Sequence, residues 1–216
     1  MKGIFFALIF GVLFSSCSKK VKDEAQVYFN DFEQSDLKSI THGSIENYNN
    51  TNVLGRYSSG GFDLNLTNLP NHKLVEISFD LYIHDSWDGN KRGPDDVDGP
   101  DIWKFIVDGN LYINTTFSNA DCDHTGFCPP QSYPLAYPNN TQNPKTGAAN
   151  PNLPGVCNLA GKPGGTTLYK ISKIIEHADS KLLMQCRDQL TQKNAENSKC
   201  DESWSVDNLR IKVIEL

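Results

Sequence analysis

Residues 74–84 read L-V-E-I-S-F-D-L-Y-I-H, with an apolar side chain at every second position from Val75 to Ile83. Successive side chains of a β-strand point to opposite faces, so this alternation predicts a strand with one face in a core and the other in solvent. The alternation repeats over residues 102–108. Both stretches are therefore predicted to be half-buried strands.

Short segments of β-type composition continue along the chain, separated by turns rich in Gly and Pro. Strands are predicted over residues 27–32, 62–66, 74–84, 102–108, 111–117, 168–175, 181–186 and 203–214. Eight such strands, without an amphipathic helical stretch of convincing length, predict an all-β fold. The expected architecture is a two-sheet antiparallel jelly-roll sandwich.

The last predicted strand contains a change of side-chain parity. Trp204 and Val206 share one parity, whereas Leu209 and the apolar residues after it share the other. Such a switch requires an extra residue, which predicts a β-bulge at Asp207-Asn208. Because a bulge re-aims side chains, Asp207 becomes a candidate ligand.

The charge balance excludes one class of partner. The 216 residues carry 26 acidic and 20 basic side chains, a formal net charge of −6. A chain of this kind lacks the basic excess of a nucleic-acid-binding protein, so no nucleic-acid partner is expected. The hydrophobic fraction of 38% and the charged fraction of 21% are ordinary for a globular protein.

The N-terminus carries an export signal. Residues 4–14 are apolar except for one glycine, a run too short to span a bilayer. Residues 13–17, L-F-S-S-C, resemble the lipobox of bacterial lipoproteins, in the looser form of Bacteroidetes. The resemblance implies a signal peptide over residues 1–16 and a lipidated Cys17; an ordinary secretory signal cleaved near Ser16 is the alternative.

The expected organisation follows from this signal. Residues 17–26 are predicted to be the lipidated cysteine and a polar tether, and residues 27–216 a single β-sandwich domain. The protein is expected in the bacterial cell envelope, held to the lipid bilayer through Cys17. Ser18 directly after the cysteine is similar to the sorting pattern of outer-membrane lipoproteins. The choice between the periplasmic and the surface side is left open.

A long segment without α or β periodicity, residues 119–167, holds most of the prolines and three of the six cysteines. In an oxidising compartment we expect one disulfide among Cys122, Cys128 and Cys157, and a second between Cys186 and Cys200. One thiol is then left over. A zinc half-site at residues 122–128 is the weaker alternative, because no second ligand pair is present.

An acidic loop joins two predicted core strands. Six aspartates lie within residues 85–101, and their mutual repulsion would be relieved by a hard cation with oxygen ligands. We predict Ca²⁺ as a structural cofactor, with ligands drawn from Asp85, Asp88, Asp98 and Asp101. A solvated acidic loop without an ion is the alternative.

Two sets of motifs carry a resemblance to known proteins. Residues 31–33, D-F-E, and 204–211, W-S-V-D-N-L-R-I, resemble jelly-roll carbohydrate-binding modules of the concanavalin-like type. The resemblance implies that Glu33 and Asp207 share a structural calcium at the sandwich edge. A family of uncharacterised exported bacterial β-sandwich proteins is similar over segments 78–83, 85–89, 99–103, 116–119, 131–134 and 201–204.

The function that these features favour is a non-catalytic binding module, with glycan as the expected ligand. Trp87, Tyr133 and Tyr137 lie on predicted loops and are candidate sugar platforms, although Trp87 equally suits a plug of the sandwich edge. A structural or adhesion module that binds another envelope protein is the second hypothesis. A polysaccharide-acting enzyme using Asp201 and Glu202 is the third, but no run of acids at alternate strand positions supports it.

Lipidation is directly testable. Cys17→Ala removes the thiol that would receive the diacylglyceryl group, so the variant should leave the membrane fraction or accumulate as an unprocessed precursor. Membrane fractionation and immunoblotting of wild type and variant measure this. Normal processing and unchanged membrane association of the variant would remove the anchor.

Overall fold

The computed structural model describes residues 21–93, 98–122, 124–193 and 195–216. Seven antiparallel strands form one sheet, in the order β3-β4-β12-β6-β10-β9, with β1 also paired to β12. Their bounds are β1 Asp23–Asn30, β3 Ile45–Tyr48, β4 Thr51–Tyr57, β6 Leu74–Asp85, β9 Asn150–Pro154, β10 Pro163–Glu176 and β12 Glu202–Glu215.

Five antiparallel strands form the second sheet, in the order β2-β5-β11-β7-β8. They are β2 Ile40–Thr41, β5 Gly61–Thr67, β7 Ile102–Val107, β8 Asn110–Thr116 and β11 Lys181–Gln189. From β4 to β7, and again from β10 to β12, each successive strand crosses to the opposite sheet. This alternation makes the fold a jelly-roll sandwich and confirms the predicted all-β class. A short helix, α1 (Ser198–Asp201), precedes β12, and among the described residues no helix is long and apolar enough to cross a bilayer.

The central strand β12 has two partners in succession along one edge. Its residues 204–206 pair with β4, and its residues 209–215 pair with β1. On the other edge it pairs with β6, with a register shift between Asp207 and Arg210. The predicted bulge is therefore confirmed, and it lies where β12 exchanges one partner for the other.

The core between the sheets follows the alternation in the sequence. Every second residue of β6 from Val75 to Ile83 is at most 3% exposed. In the opposite sheet the buried positions of β7 include Trp103, whose ring meets that of Trp204 edge-on at 5.8 Å. The Trp204 indole N–H donates to the buried Asp188 carboxylate at 2.7 Å, which satisfies its polar atom inside the core.

Several boundaries differ from the sequence-based expectation. β1 begins at Asp23, inside the segment predicted as a tether, because its first residues pair with the end of β12 at Glu215. Strands β2, β3 and β4 were not predicted. The segment predicted to lack strands, residues 119–167, contains β9 and the start of β10 at Pro163.

Two buried amide side chains hold the rest of that segment in place. The Asn119 amide group donates to the carbonyl groups of Ile83, Asp85 and Gly165 at 3.0–3.1 Å. The Gln131 side chain makes five hydrogen bonds, including one from the Tyr169 hydroxyl at 3.1 Å. Side chains thus satisfy backbone groups that a sheet would otherwise pair.

The two disulfide bonds of the structure contradict one of the predicted cysteine pairings. Cys122 is bonded to Cys128 and Cys157 to Cys200, so the predicted Cys186–Cys200 bridge is wrong. Cys186 is fully buried in β11 with its side chain between the sheets, whereas Cys200 lies in α1 at the end of the sandwich. Burial raises the pKa of the Cys186 thiol well above its ordinary value. The Cys122–Cys128 bond also removes the zinc half-site.

The two disulfides should differ in their effect on stability. The Cys157–Cys200 bond closes a sequence separation of 43 residues and Cys122–Cys128 only 6. Loop-closure entropy then predicts that Cys200→Ser lowers the free energy of unfolding by about 4 kcal/mol and Cys122→Ser by about 2 kcal/mol. Thermal melts give the ranking, and peptide mapping without reductant should label Cys186 alone among the five cysteines after Cys17. A labelled Cys157, or the reverse ranking, contradicts this assignment.

Candidate functional site

Trp87 belongs to the core and not to an exposed platform. Its side chain is 0% exposed, its indole N–H donates to the Ser203 carbonyl at 2.9 Å, and its ring meets Phe117 edge-on. The prediction that Trp87 binds ligand is therefore wrong, and the alternative, a plug at the sandwich edge, describes it. The cause is that the chain folds back over the end of β6, where an indole ring fills the gap between the sheets.

Tyr133 lines a cleft between the edges of the two sheets. The cleft has a volume of about 290 Å³ and lies between β8, the loop of residues 133–136 and β10. One side of the Tyr133 ring packs on Phe117 and Tyr169, with ring centroids 4.9 and 5.1 Å away. The ring remains partly exposed. Core packing therefore holds this ring rigidly at the cleft wall.

A second aromatic ring in the cleft was missed by sequence analysis. Tyr112, on the edge strand β8, lines the cleft and is 37% exposed. Its place in the predicted strand 111–117 could have drawn attention to it. An exposed aromatic side chain on a strand at the edge of a sheet is a candidate contact for a ligand. Polar side chains share the cleft with the two rings: Asn114, Lys170, Ser172 and Lys173.

Tyr137 lies at the far end of the same loop. Its hydroxyl accepts a hydrogen bond from the Arg92 guanidinium at 2.8 Å, and its carbonyl accepts one from the Asn114 amide at 3.0 Å. Its own backbone N–H donates to the Asn114 carbonyl. Tyr137 is half-buried and fastens the loop to β8, so it supports the cleft wall but does not line it.

Asp85 is not available to a cation. Its carboxylate is 0% exposed and accepts hydrogen bonds from the backbone N–H groups of Val156, Cys157 and Leu159 at 3.0–3.1 Å. These three donors, with the Arg56 guanidinium 3.8 Å from the carboxylate, satisfy the charge, which is how a buried carboxylate is normally retained. The prediction that Asp85 ligates a metal is therefore corrected: Asp85 anchors the loop before β10.

The other predicted ligands of the acidic loop meet at the start of β12. Carboxylate oxygens of Asp88, Asp98 and Glu202 all lie within 4.8 Å of one another. Asp101 is 0% exposed beside them, and one of its oxygens accepts from the N–H groups of Asp88 and Gly89. Glu202 was not predicted as part of this group. Asp95 and Asp96 lie outside the described residues.

Burial and mutual repulsion dominate the electrostatics of this cluster. Burial first, and neighbouring carboxylates second, raise the pKa of Asp101 and Glu202 well above their ordinary values. The pKa of Asp88 is raised for the same reasons, against the opposing effect of Lys91. The Lys91 ammonium group contacts Asp88 and lies 3.8 Å from Asp98. Among the described residues, Lys91 is the cationic side chain in contact with the cluster.

Glu33 and Asp207 lie near enough to repel each other where β1, β4 and β12 meet, but among the described residues they are not part of a group of three carboxylates with oxygens within 4.8 Å of one another. The Glu33 carboxylate accepts hydrogen bonds from the Thr51 hydroxyl and the Asn52 N–H at the start of β4. Asp207, on the bulge, is 5% exposed, and its pKa is raised to about 6 by burial, then by Asp80, Glu33 and Asp31. This neighbourhood is rich in carboxylate oxygen, the donor type that Ca²⁺ prefers.

The acids of the enzyme hypothesis point in different directions. Asp201 ends α1, and its carboxylate accepts from the Ser86 hydroxyl at 2.7 Å and from the Asn158 amide at 3.3 Å. Glu202 is 2% exposed and belongs to the buried cluster. The two carboxylates therefore do not face one substrate groove, as a glycosidase pair must.

Comparison with known proteins gives structural likenesses and no sequence family. No family model matches the chain, and no curated protein matches its sequence. A xylan-binding domain, CBM22-2, of Paenibacillus barcinonensis Xyn10C is 14% identical with a TM-score of 0.39, covering 86% of this chain and 98% of that one. A family 35 carbohydrate-binding module of Clostridium thermocellum is 10% identical with a TM-score of 0.36, covering 80% and 88%.

A much longer protein is also similar in structure. Dimeric latent PorU of Porphyromonas gingivalis is 10% identical with a TM-score of 0.36; the match covers 71% of this chain and 10% of PorU. The present chain thus spans about a tenth of that protein's length. The ligands named for these proteins are properties of those proteins, and we attribute none of them to this chain on this basis.

The raised pKa of Asp207 should make stability pH-dependent in chelator. Between pH 4 and its folded pKa of about 6, the unfolded state has released the proton that the folded state keeps. The free energy of unfolding therefore falls as pH rises through this window. We expect Asp207→Asn to flatten the profile by on the order of 1 kcal/mol, since one pKa unit is about 1.4 kcal/mol and solvent screens part of it. Denaturant titrations at pH 4, 5, 6 and 7 measure this; Asp36→Asn, an exposed control, should leave the slope unchanged, and an unaltered slope in Asp207→Asn contradicts the assignment.

Proposed function

We propose that this protein is a non-catalytic glycan-binding module whose binding surface is the cleft between β8 and β10. The observation that carries the proposal is the pair of tyrosine rings, Tyr112 and Tyr133, on the walls of one cleft beside amide, hydroxyl and ammonium groups.

The chemistry of the cleft suits a sugar. A pyranose ring has apolar C–H faces that pack on aromatic rings, and hydroxyl groups around its edge that need hydrogen-bond partners. Tyr112 and Tyr133 supply rings, while Asn114 and Ser172 supply groups that donate and accept. Lys173 adds a positive charge, which favours a glycan with carboxylate or sulfate groups, whereas the Lys170 ammonium group is paired with Asp80 at 3.4 Å.

The second part of the proposal is that the protein is a cell-envelope lipoprotein anchored through Cys17. The support is the lipobox-like segment ending at Cys17 and the start of β1 at Asp23. Only five residues separate the two positions, so the link spans at most about 20 Å. The folded domain would then stand close to the bilayer, and Ser18, which resembles the sorting pattern of outer-membrane lipoproteins, supports an outer-membrane location.

Calcium completes the proposal as a structural ion at Glu33 and Asp207. Its support is the half-buried carboxylate neighbourhood at the junction of β1, β4 and β12, where Asp207 meets Glu33, Asp31 and Asp80. Asp207 and Glu33 would hold the ion, and its charge would offset their repulsion. The ion would thereby fasten the first strand to the last.

A glycan array with the purified protein, followed by titration of any hit, tests the function. Tyr112→Ala removes an exposed ring, and Tyr133→Leu removes the second ring but keeps an apolar side chain against Phe117. Each should weaken binding at least about tenfold, the effect of losing one stacked aromatic contact. Phe127→Ala, which removes an exposed aromatic outside the cleft, should bind as wild type does.

Two outcomes would count against the proposal. Silence across plant, algal and host glycans, including acidic ones, removes the ligand class. Binding that is unchanged in both tyrosine variants, with unchanged melting temperatures, removes the cleft as its site.

Another envelope protein is the second candidate partner, because the cleft also presents apolar surface. Leu135, which lines the cleft beside Tyr112, is 47% exposed. A protein partner would use the same surface, so Tyr112→Ala would also weaken it. Pull-down from native membranes, compared between wild type and this variant, separates the two candidates once the glycan array is known.

A further inference from the structure

The buried acidic cluster has the geometry of a cation site. Oxygens of Asp88, Asp98 and Glu202 lie within 4.8 Å of one another. Calcium binds carboxylate oxygens at about 2.4 Å, so two ligands of one ion lie at most about 4.8 Å apart. An ion placed between the three oxygens would lie at most about 2.8 Å from each of them, so side-chain movements of a few tenths of an ångström would bring all three within the 2.3–2.6 Å range of calcium bonds.

Buried oxygens without donors point to the same place. Asp101 is 0% exposed, and its Oδ1 has no hydrogen-bond partner within the described part of the chain. The Asp101 and Glu202 carboxyl groups lie within hydrogen-bonding reach of each other, so the unpartnered Oδ1 atom belongs to a group that lies against the cluster. Asp88 Oδ1 and Gln192 Oε1 are likewise buried without a donor among these residues. Buried oxygens without a donor are uncommon in folded proteins, and a bound ion or water would supply their partner.

The described residues place little positive charge beside the cluster. Four carboxyl groups converge; among these residues Lys91 supplies one ammonium group, in contact with Asp88, and the Gln192 amide donates to Glu202. Burying several like charges with so little compensation is strongly unfavourable. A divalent cation supplies the missing charge and also takes up the unpartnered oxygens.

We propose that Asp88, Asp98 and Glu202 form a buried divalent-cation site, separate from the Glu33–Asp207 neighbourhood. All the available donors are oxygens, which favours Ca²⁺ or Mg²⁺ over transition metals. Ca²⁺ fits better, because carboxylates from separate segments accommodate its flexible coordination, whereas Mg²⁺ demands a near-ideal octahedron. Asp101 positions Asp88, because the backbone N–H of Asp88 donates a hydrogen bond to Oδ2 of Asp101.

The site would join two distant parts of the sequence. Asp88 and Asp98 belong to the loop between β6 and β7, and Glu202 opens β12. An ion held between them would fasten that loop to the central strand of the larger sheet. The competing arrangement uses Lys91 alone as the counter-ion.

Calcium titration of chelator-treated protein by calorimetry and thermal melting tests the proposal. The experiment uses an Asp207→Asn background, so that an ion at Glu33–Asp207 does not contribute. We expect one Ca²⁺ per chain and, at a concentration about 100 times the dissociation constant, a rise in melting temperature of roughly 5–10 °C. Added Glu202→Gln or Asp98→Asn should weaken binding at least about tenfold.

Two comparisons and one control variant separate an ion site from a merely structural cluster. In chelator Glu202→Gln should melt above its parent, because it removes a repelling carboxyl group, whereas in Ca²⁺ it should melt below. Lys91→Met should bind Ca²⁺ more tightly, since the competing ammonium group is gone. Asp201→Asn, the adjacent acid outside the cluster, is the matched control and should bind Ca²⁺ as the parent does.

The proposal is overturned if the Asp207→Asn protein takes up no Ca²⁺, or if uptake survives both Glu202→Gln and Asp98→Asn. It is also overturned if Lys91→Met destabilises the protein equally in Ca²⁺ and in chelator, which would identify Lys91 as the counter-ion. The measurement contains no glycan, so its failure leaves the cleft proposal untouched.

Discussion

The structure depends on β12, which is paired on both edges and is buried on both faces over its first six residues. Its first six residues, 202–207, are all buried, although only two of them are large and apolar. Such a strand is stable only because β6 on one side, and β4 and then β1 on the other, pair its backbone throughout. The exchange of partners requires the bulge, and the bulge turns Asp207 toward the carboxylates near the N-terminus.

In the long segment before β10, buried polar side chains satisfy backbone N–H and C=O groups, as pairing between strands does elsewhere in the structure. Asp85 collects three backbone N–H groups, Asn119 serves three carbonyl groups, and Gln131 makes five hydrogen bonds. A buried polar group that loses its partner is costly, so each of these residues specifies one course of the chain. Outside β9, the described part of this segment is therefore held in place by side-chain hydrogen bonds and not by sheet pairing.

The parts of the fold that sequence could predict are those with local periodicity. The alternation in β6 and β7 and the parity switch in β12 predicted strands, core faces and the bulge. By contrast, β4 contains Gly55 and β9 contains two prolines, so neither shows the alternation of a half-buried strand. Their places depend on neighbours far along the chain, which no local pattern encodes.

The candidate sites divide in the same way. Sequence indicated that acidic residues would cluster, but the choice between Asp85 and Glu202 depends on which backbone N–H groups surround each carboxylate. It also predicted a Cys186–Cys200 disulfide, but Cys186 is buried in the core and Cys200 lies in the helix before β12, where it pairs with Cys157. Trp87 had two readings from sequence, and only the fold at the end of β6 distinguishes them.

The pairing of β1 with the end of β12 has a geometric consequence. Asp23 lies opposite Glu215, so both ends of the domain leave from one pole of the sandwich. From Leu74, which pairs near that pole, β6 runs twelve residues to Asp85, a distance of about 40 Å at the usual rise of a strand. The acidic loop and the Cys157–Cys200 disulfide thus occupy the opposite pole. A chain held by its N-terminus would carry that pole outermost, and a protein fused to its C-terminus would be held at the pole next to the point of attachment.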